Sequence, residues 1–210
     1  MAREFYSIAQ KSSAQLQEKK SLFIAYACPV ETEDEAQAFI ESIKNKHHDA
    51  KHHVYAYQIG DDNQIKRYTD DKEPSGTAGK PTLEAIDKSG LKNTAIVVAR
   101  YFGGILLGSG GLTRAYGKAA AMAIAAAVIV KKIPAKKYQI TFDYHYCGKV
   151  ETWLGKRQYP IEKRLFDQII AFTILVPYDQ ESQIKKEFME ITLGTGSLLD
   201  LGEEGFIILK

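Results

Sequence analysis

The stretch 93–132 constrains this chain more than any other. An apolar, β-forming run over 94–99 passes through Arg100, Tyr101 and Phe102 into six glycines between Gly103 and Gly117, and a long Ala-rich helical pattern follows over 112–130. Glycine serves where backbone must take positive φ or let another group approach closely, so a buried strand is predicted to turn tightly into a helix here. A helix starting at Gly110 or Gly111 has unpaired amide groups and a positive dipole end, with Arg100 and Arg114 close in sequence, which suits an anion such as phosphate. The same glycines would equally serve only to let the helix lie close on its sheet.

A length of 210 residues allows two domains or one large one, and 45% hydrophobic with 26% charged residues is ordinary for a globular protein. Cys28 and Cys147 lie far apart with no C-x-x-C, which argues against a disulfide framework or a zinc knuckle and fits a reducing compartment. The start, Met1 to Glu4, leads into polar sequence, and the apolar stretch 119–130 is too short for a bilayer. The expectation is therefore a cytoplasmic protein with no membrane partner. A net charge of only +2 means that any nucleic-acid site must be a local patch.

In chain order, 13–17 and 21–28 read as two strands joined by the charged turn 18–20, and 32–48 as an amphipathic helix opened by a capping box of Thr32 and Glu35. The segment 52–59 alternates like a strand, with Val54, Ala56 and Gln58 on one face and His53, Tyr55, Tyr57 and Ile59 on the other. His47, His48, His52 and His53 straddle a helix end and a strand start without the i, i+4 spacing that puts two imidazoles on one helix face, so no metal is assigned. From Gly60 to Pro81 runs a long polar loop, of the kind that is functional or mobile. Gly79, Lys80 and Thr82 imitate a P-loop, but Pro74 stands where its first glycine belongs and Pro81 splits the lysine from the threonine. A short helix, 81–90, then leads into the glycine junction.

The basic, proline-punctuated run 131–137 is taken as a connection, with a domain boundary at Pro134. Beyond it come strand 138–144, helix 148–156, strands 161–165 and 169–176, helix 179–191 and a strand from 197, the β-α-β-β-α-β order of a ferredoxin-like fold. Cys147 near His145 would allow a nucleophile and base, but a buried thiol beside a strand-end histidine is the simpler reading.

Two long motifs carry a resemblance. Asp70, Asp71, Lys72, Glu73, Pro74, Ser75, Gly76, Thr77, Ala78 and Gly79, with Pro81 and Leu83 beyond, precede Arg100, Tyr101, Phe102, Gly103, Gly104, Ile105, Leu107, Gly108, Gly110, Gly111, Leu112, Ala115 and Tyr116. This pattern closely resembles the IMPACT family in its bacterial, YigZ-type form, without the RWD domain, and covers about residues 15–130. Lys72 is a departure, since the resemblance leads one to expect glycine there. The resemblance implies an α+β fold with an N-terminal domain, 1–134, similar to domain 2 of ribosomal protein S5 and domain IV of elongation factor G. It implies a C-terminal domain, 135–210, ferredoxin-like and similar to domain V of that factor.

Three functional readings follow. The first is a translation-associated regulator that binds RNA or the ribosome, or a protein partner in translation, in a groove between the loop 70–80 and the glycine junction. Its ligand-binding residues would be Lys80, Arg100, Tyr101, Gly103, Gly104, Gly108, Gly110, Gly111 and Arg114, beside the motif loop of Asp70, Asp71, Glu73, Pro74, Gly76, Thr77 and Gly79. It needs no cofactor. The alternative is a phosphate-ester enzyme in which Asp70, Asp71 and Glu73 hold Mg²⁺ while Arg100 and the amides of Gly110 and Gly111 take the phosphate, although no spacing identifies a nucleophile or base. In the third, the motifs are structural, and Arg100 is a core-edge residue paired with Asp70, Asp71 or Glu73.

Overall fold

A computed structural model describes residues 4–60 and 62–209. Met1, Ala2 and Arg3 of the polar start, Asp61 of the polar loop, and Lys210 lie outside the described residues. The fold is mixed α/β in two compact units, one of residues 5–131 and the other of residues 132–209 with Glu4.

In the N-terminal unit the elements are β1 (Phe5–Ile8), β2 (Ser12–Glu18), β3 (Ser21–Pro29), α1 (Glu33–Lys46), β4 (His52–Ile59), β5 (Ile65–Thr69), α2 (Gly79–Ser89), β6 (Thr94–Tyr101) and α3 (Ser109–Ala125). Five of the strands form a sheet in the order β2-β3-β6-β4-β5, with every neighbouring pair antiparallel. Lys19 and Lys20, both with positive φ, make the tight turn from β2 to β3, the backbone that matches a hairpin's twist. Strand alternation sorts the core into two layers. Phe23, Ala25, Ala27, Val54, Ala56, Ile96 and Val98 meet α2 and α3, while Cys28, Tyr57, Ile59, Ala95 and Val97 meet α1. The central strand, β6, is thus covered on both faces.

Thr32 caps α1 as expected, its Oγ1 accepting from the Glu35 amide, but Glu35 reaches back to the amide of Glu31 rather than of Thr32. Three expectations need correction. The polar loop 60–81 contains β5, an edge strand antiparallel to β4 whose outward Lys66 and Arg67 hide its pattern. The Ala-rich helix begins at Ser109 and ends at Ala125, and the β-branched residues Ile129 and Val130 already belong to the next strand.

That strand, β7 (Ile129–Phe142), replaces the expected linker, with Pro134 inside it. Its ladder with the later strand starts only at Ala135, so the missing N–H of Pro134 costs that ladder nothing. In the C-terminal unit follow α4 (Cys147–Arg157), β8 (Ile161–Phe166), β9 (Ile170–Pro177), α5 (Glu181–Ile191) and β10 (Ser197–Leu209). β9 lies between β7 and β8, antiparallel to both, and β10 pairs β7, so these four strands of a five-stranded sheet stand in the order β10-β7-β9-β8. Val150, Trp153 and Leu154 of α4 and Ile184 and Phe188 of α5 close one core over Ile140, Phe142, Phe172 and Ile174. His145 bonds Asp143 at 2.9 Å, and burial pushes the Cys147 thiol above its usual range, so the two do not form an activated pair.

Candidate nucleic-acid interface

The site is built from the segment that joins β5 to α2. Asp70, just past β5, folds this segment back on itself: its carboxylate accepts from the amides of Gly76 at 2.8 Å, Ala78 at 2.9 Å and Gly79 at 2.8 Å. Ala78, at the start of α2, has no capping side chain, and Asp70 supplies the acceptor from upstream in the sequence. Burial alone would push the Asp70 carboxyl up, but the three amides outweigh it and hold it below its ordinary value. A Cβ on Gly79 would lie 2.5 Å from the carbonyl oxygen of Thr69, so only glycine lets α2 start this close to β5. Within the turn, Thr77 donates both its amide and its hydroxyl to the Pro74 carbonyl. Asp71 ties the segment to β4, its Oδ2 accepting from the His53 amide at 2.5 Å and its carbonyl from His52 Nδ1 at 2.7 Å.

Glu73 is turned inward. Its Oε1 accepts from Arg100 Nη1 at 2.5 Å and from the Tyr116 hydroxyl at 2.9 Å, with His52 Nε2 3.6 Å away. Arg100 is 4% exposed; its Nη2 is 3.4 Å from Ser21 Oγ, and its guanidinium lies against the rings of Phe23 and Phe102. Burial, reinforced by the charge of Glu73, pushes the Tyr116 hydroxyl far above its usual range, so it acts only as a donor. Strand alternation explains the arrangement: Arg100 shares the α3 face of β6 with Ile96 and Val98, where one buried cation requires one buried anion.

Above this pair opens a groove of about 630 Å³, lined by the acidic turn (Lys72, Glu73, Pro74), by Lys51 and His52 of β4's approach, and by Phe102, Leu106, Leu107, Gly108, Ser109 and Leu112 of the glycine junction. The motif loop and the junction therefore face each other across one cavity. The first turn of α3 opens onto it at Ser109, preceded by Gly108 with φ near +72°. Gly103 serves a different purpose, for its Cβ would fall 2.0 Å from the Lys20 backbone; it lets the end of β6 pass under the β2–β3 turn. Gly104 also takes positive φ, Gly110 sits in the first turn of α3, and Gly111 packs on Leu107.

Not every expected ligand residue is in the groove. Tyr101 points to the opposite face of the sheet, donating its hydroxyl to Asp49 and meeting His47 Nδ1 at 2.9 Å. Arg114 lines separate cavities, one against α2 and one beside Lys19, and Lys80 is exposed on α2 outside the groove lining. Arg100 lines the groove but is already paired. Nothing local in Lys51 or Leu106 marks a site, and His52, weighed in the sequence only as a metal ligand, reaches the groove because the β4–β6 register brings it opposite Arg100. The histidine cluster is used internally, with His47 bonded to Tyr26 and His53 to the His47 carbonyl. Among the described residues no three His, Cys, Asp or Glu side chains converge as metal ligands.

The Impact N-terminal domain model matches residues 19–124, the span that holds both motifs and the groove. The chain belongs to the IMPACT family. It is 35% identical to the IMPACT family member YvyE of Bacillus subtilis over 94% of this chain and 91% of that protein. It is 34% identical to the IMPACT family member YigZ of Escherichia coli over 88% and 92%. A solved structure described as that of a hypothetical protein superposes with a TM-score of 0.67 at 32% identity, covering 96% of this chain and 98% of that one. Among the described residues of this IMPACT-family protein no helix is long and apolar enough to cross a membrane.

Lys72 can now be explained. It adopts φ of 68°, the left-handed region where glycine is unstrained and a lysine is not. Lys72→Gly trades that strain against a more flexible unfolded chain and is expected to raise unfolding free energy by about 0.5–1 kcal/mol. A urea titration checks this, and a loss of stability would show that the lysine's contacts outweigh its backbone strain.

Proposed function

We propose that this IMPACT-family protein is a cytoplasmic, translation-associated regulator that binds RNA, that of the ribosome included, through the groove between the acidic turn and the start of α3. The observation that carries the reading is the convergence of exposed Lys51 and Lys72 with the half-exposed ring of Phe102 on one cavity, cations for phosphates beside an aromatic ring over which Lys51 Nζ rests at 5.2 Å and from which a stacking base would displace it. The order β10-β7-β9-β8, with helices after its first and third strands in sequence, supports a ferredoxin-like C-terminal domain similar to domain V of elongation factor G. With an N-terminal domain similar to domain 2 of ribosomal protein S5, this likeness favours the ribosome as the setting.

The metal-dependent enzyme is less well supported. Asp70 takes three amides, Asp71 a fourth, and Glu73 the Arg100 and Tyr116 donors, so the three carboxylates are directed at three different protein partners rather than at one ion.

The test is binding of single-stranded RNA across a salt series, wild type against Lys51→Ala/Lys72→Ala. Affinity should fall with salt, and the slope should be shallower in the variant by about 0.7 for each lysine that neutralises a phosphate. Absence of binding at low salt, or an unchanged slope in the variant, would overturn the reading.

A further inference from the structure

The groove is lined by a carboxylate that the protein's own donors use on one side only. Glu73, with a side chain 4% exposed, directs Arg100 and Tyr116 onto Oε1. Its Oε2 takes no hydrogen bond among the described residues, yet it is not one of the sealed, unpartnered buried atoms, so it meets the groove that Glu73 lines. A carboxylate oxygen that opens onto the groove and takes no protein donor is an acceptor available to a ligand that brings an N–H or O–H.

The rest of the cavity specifies that partner. Its walls are the ring of Phe102 and the side chains of Leu106, Leu107 and Leu112, which suit a flat, weakly polar body. Lys51 and Lys72 are exposed at its edge and call for negative charge. An amine cation would satisfy Glu73 but would meet Arg100 and both lysines. A neutral N–H donor on a flat ring, tethered to a phosphate, satisfies all three conditions.

We infer that the groove is a pocket for one unpaired nucleotide whose base carries an exocyclic amino group, that group donating to Glu73 Oε2 while the phosphate lies on Lys51 and Lys72. The inference rests on the RNA-binding reading and sharpens it. Cytosine, adenine and guanine present such an amino group at the edge of the ring. Uracil offers only N3–H, flanked by two carbonyl oxygens that would be pressed against the carboxylate. A site that reads a base edge by one good contact discriminates by roughly tenfold or more.

The test compares oligo(C), oligo(A) and oligo(U) of equal length at fixed salt, with 5′-CMP and 5′-UMP alongside. Oligo(C) and oligo(A) should bind about tenfold or more tighter than oligo(U), and Glu73→Gln should erase the difference. Because Glu73→Gln also disturbs the Arg100 pair, a second variant is needed. Leu106→Trp, at a residue 83% exposed, narrows the cavity without touching that pair or the lysines, and should lose the discrimination while keeping salt-dependent binding. Salt-dependent binding that is equal for all three oligonucleotides overturns the pocket and leaves the RNA reading intact. No binding of any oligonucleotide at low salt overturns both. If 5′-CMP binds as tightly as oligo(C), a strand is overturned as the source of the nucleotide.

Discussion

Arg100→Ala is expected to lower the unfolding free energy by about 3–5 kcal/mol, the cost of stranding one member of a buried ion pair. The substitution leaves Glu73 nearly buried with only the Tyr116 hydroxyl at 2.9 Å and His52 at 3.6 Å as partners, and removes the guanidinium packed on Phe23 and Phe102. The control is the double replacement Glu73→Leu/Arg100→Met, which removes both charges and fills similar volume. Such replacements of a whole buried pair are often neutral or stabilising, so most of the loss should be recovered. Urea denaturation of the wild type, the single variant and the double variant measures the difference. A cost for Arg100→Ala below about 1 kcal/mol would mean that Glu73 is solvated through the groove and that the pair behaves as a surface pair.

This pair also shows what the sequence could and could not convey. The alternation of β6 was legible from 94–99, and extending it by two residues puts Arg100 and Tyr101 on opposite faces; grouping them as one site treated neighbours in sequence as neighbours in space. The groove between the acidic loop and the glycine junction was legible because each motif announces a tight turn. Its other contributors were not, since Lys51 and His52 join it only through the β4–β6 register, a long-range pairing that no local pattern encodes. Arg114 is the reverse case: close to the glycines in sequence, it is carried by the turn of α3 to cavities outside the groove. β5 escaped notice because an edge strand with outward charges has the composition of a loop, and β7 because Pro134 reads as a break where its ladder to β9 has not yet begun. The acidic loop suggested a ligand for cations, whereas its carboxylates hold backbone amides and a buried arginine. A composition rich in acids identifies the charge but not the direction in which each acid points.

Asp70 provides the other large effect. Replacing it with alanine leaves the amides of Gly76, Ala78 and Gly79 without their acceptor at the start of α2, and should cost about 3 kcal/mol, since hydrogen bonds to a charged group are the stronger kind. Asp70→Asn keeps one carbonyl oxygen and loses the charge, so it should cost less, about half of that. The pH dependence follows from the carboxyl being held below its ordinary value of 3.8, the amides outweighing the opposing effect of burial. A group whose folded value is depressed adds stability that is complete above the unfolded value and is lost as pH falls through the folded one. The wild-type advantage over Asp70→Asn should therefore be constant at neutral pH and shrink only below about pH 4. Paired urea titrations from neutral pH downward measure it. An advantage that stays constant to the lowest pH at which both proteins fold would show that the amides bond a neutral carboxyl equally well, and that the geometry of the turn, rather than its charge, starts α2.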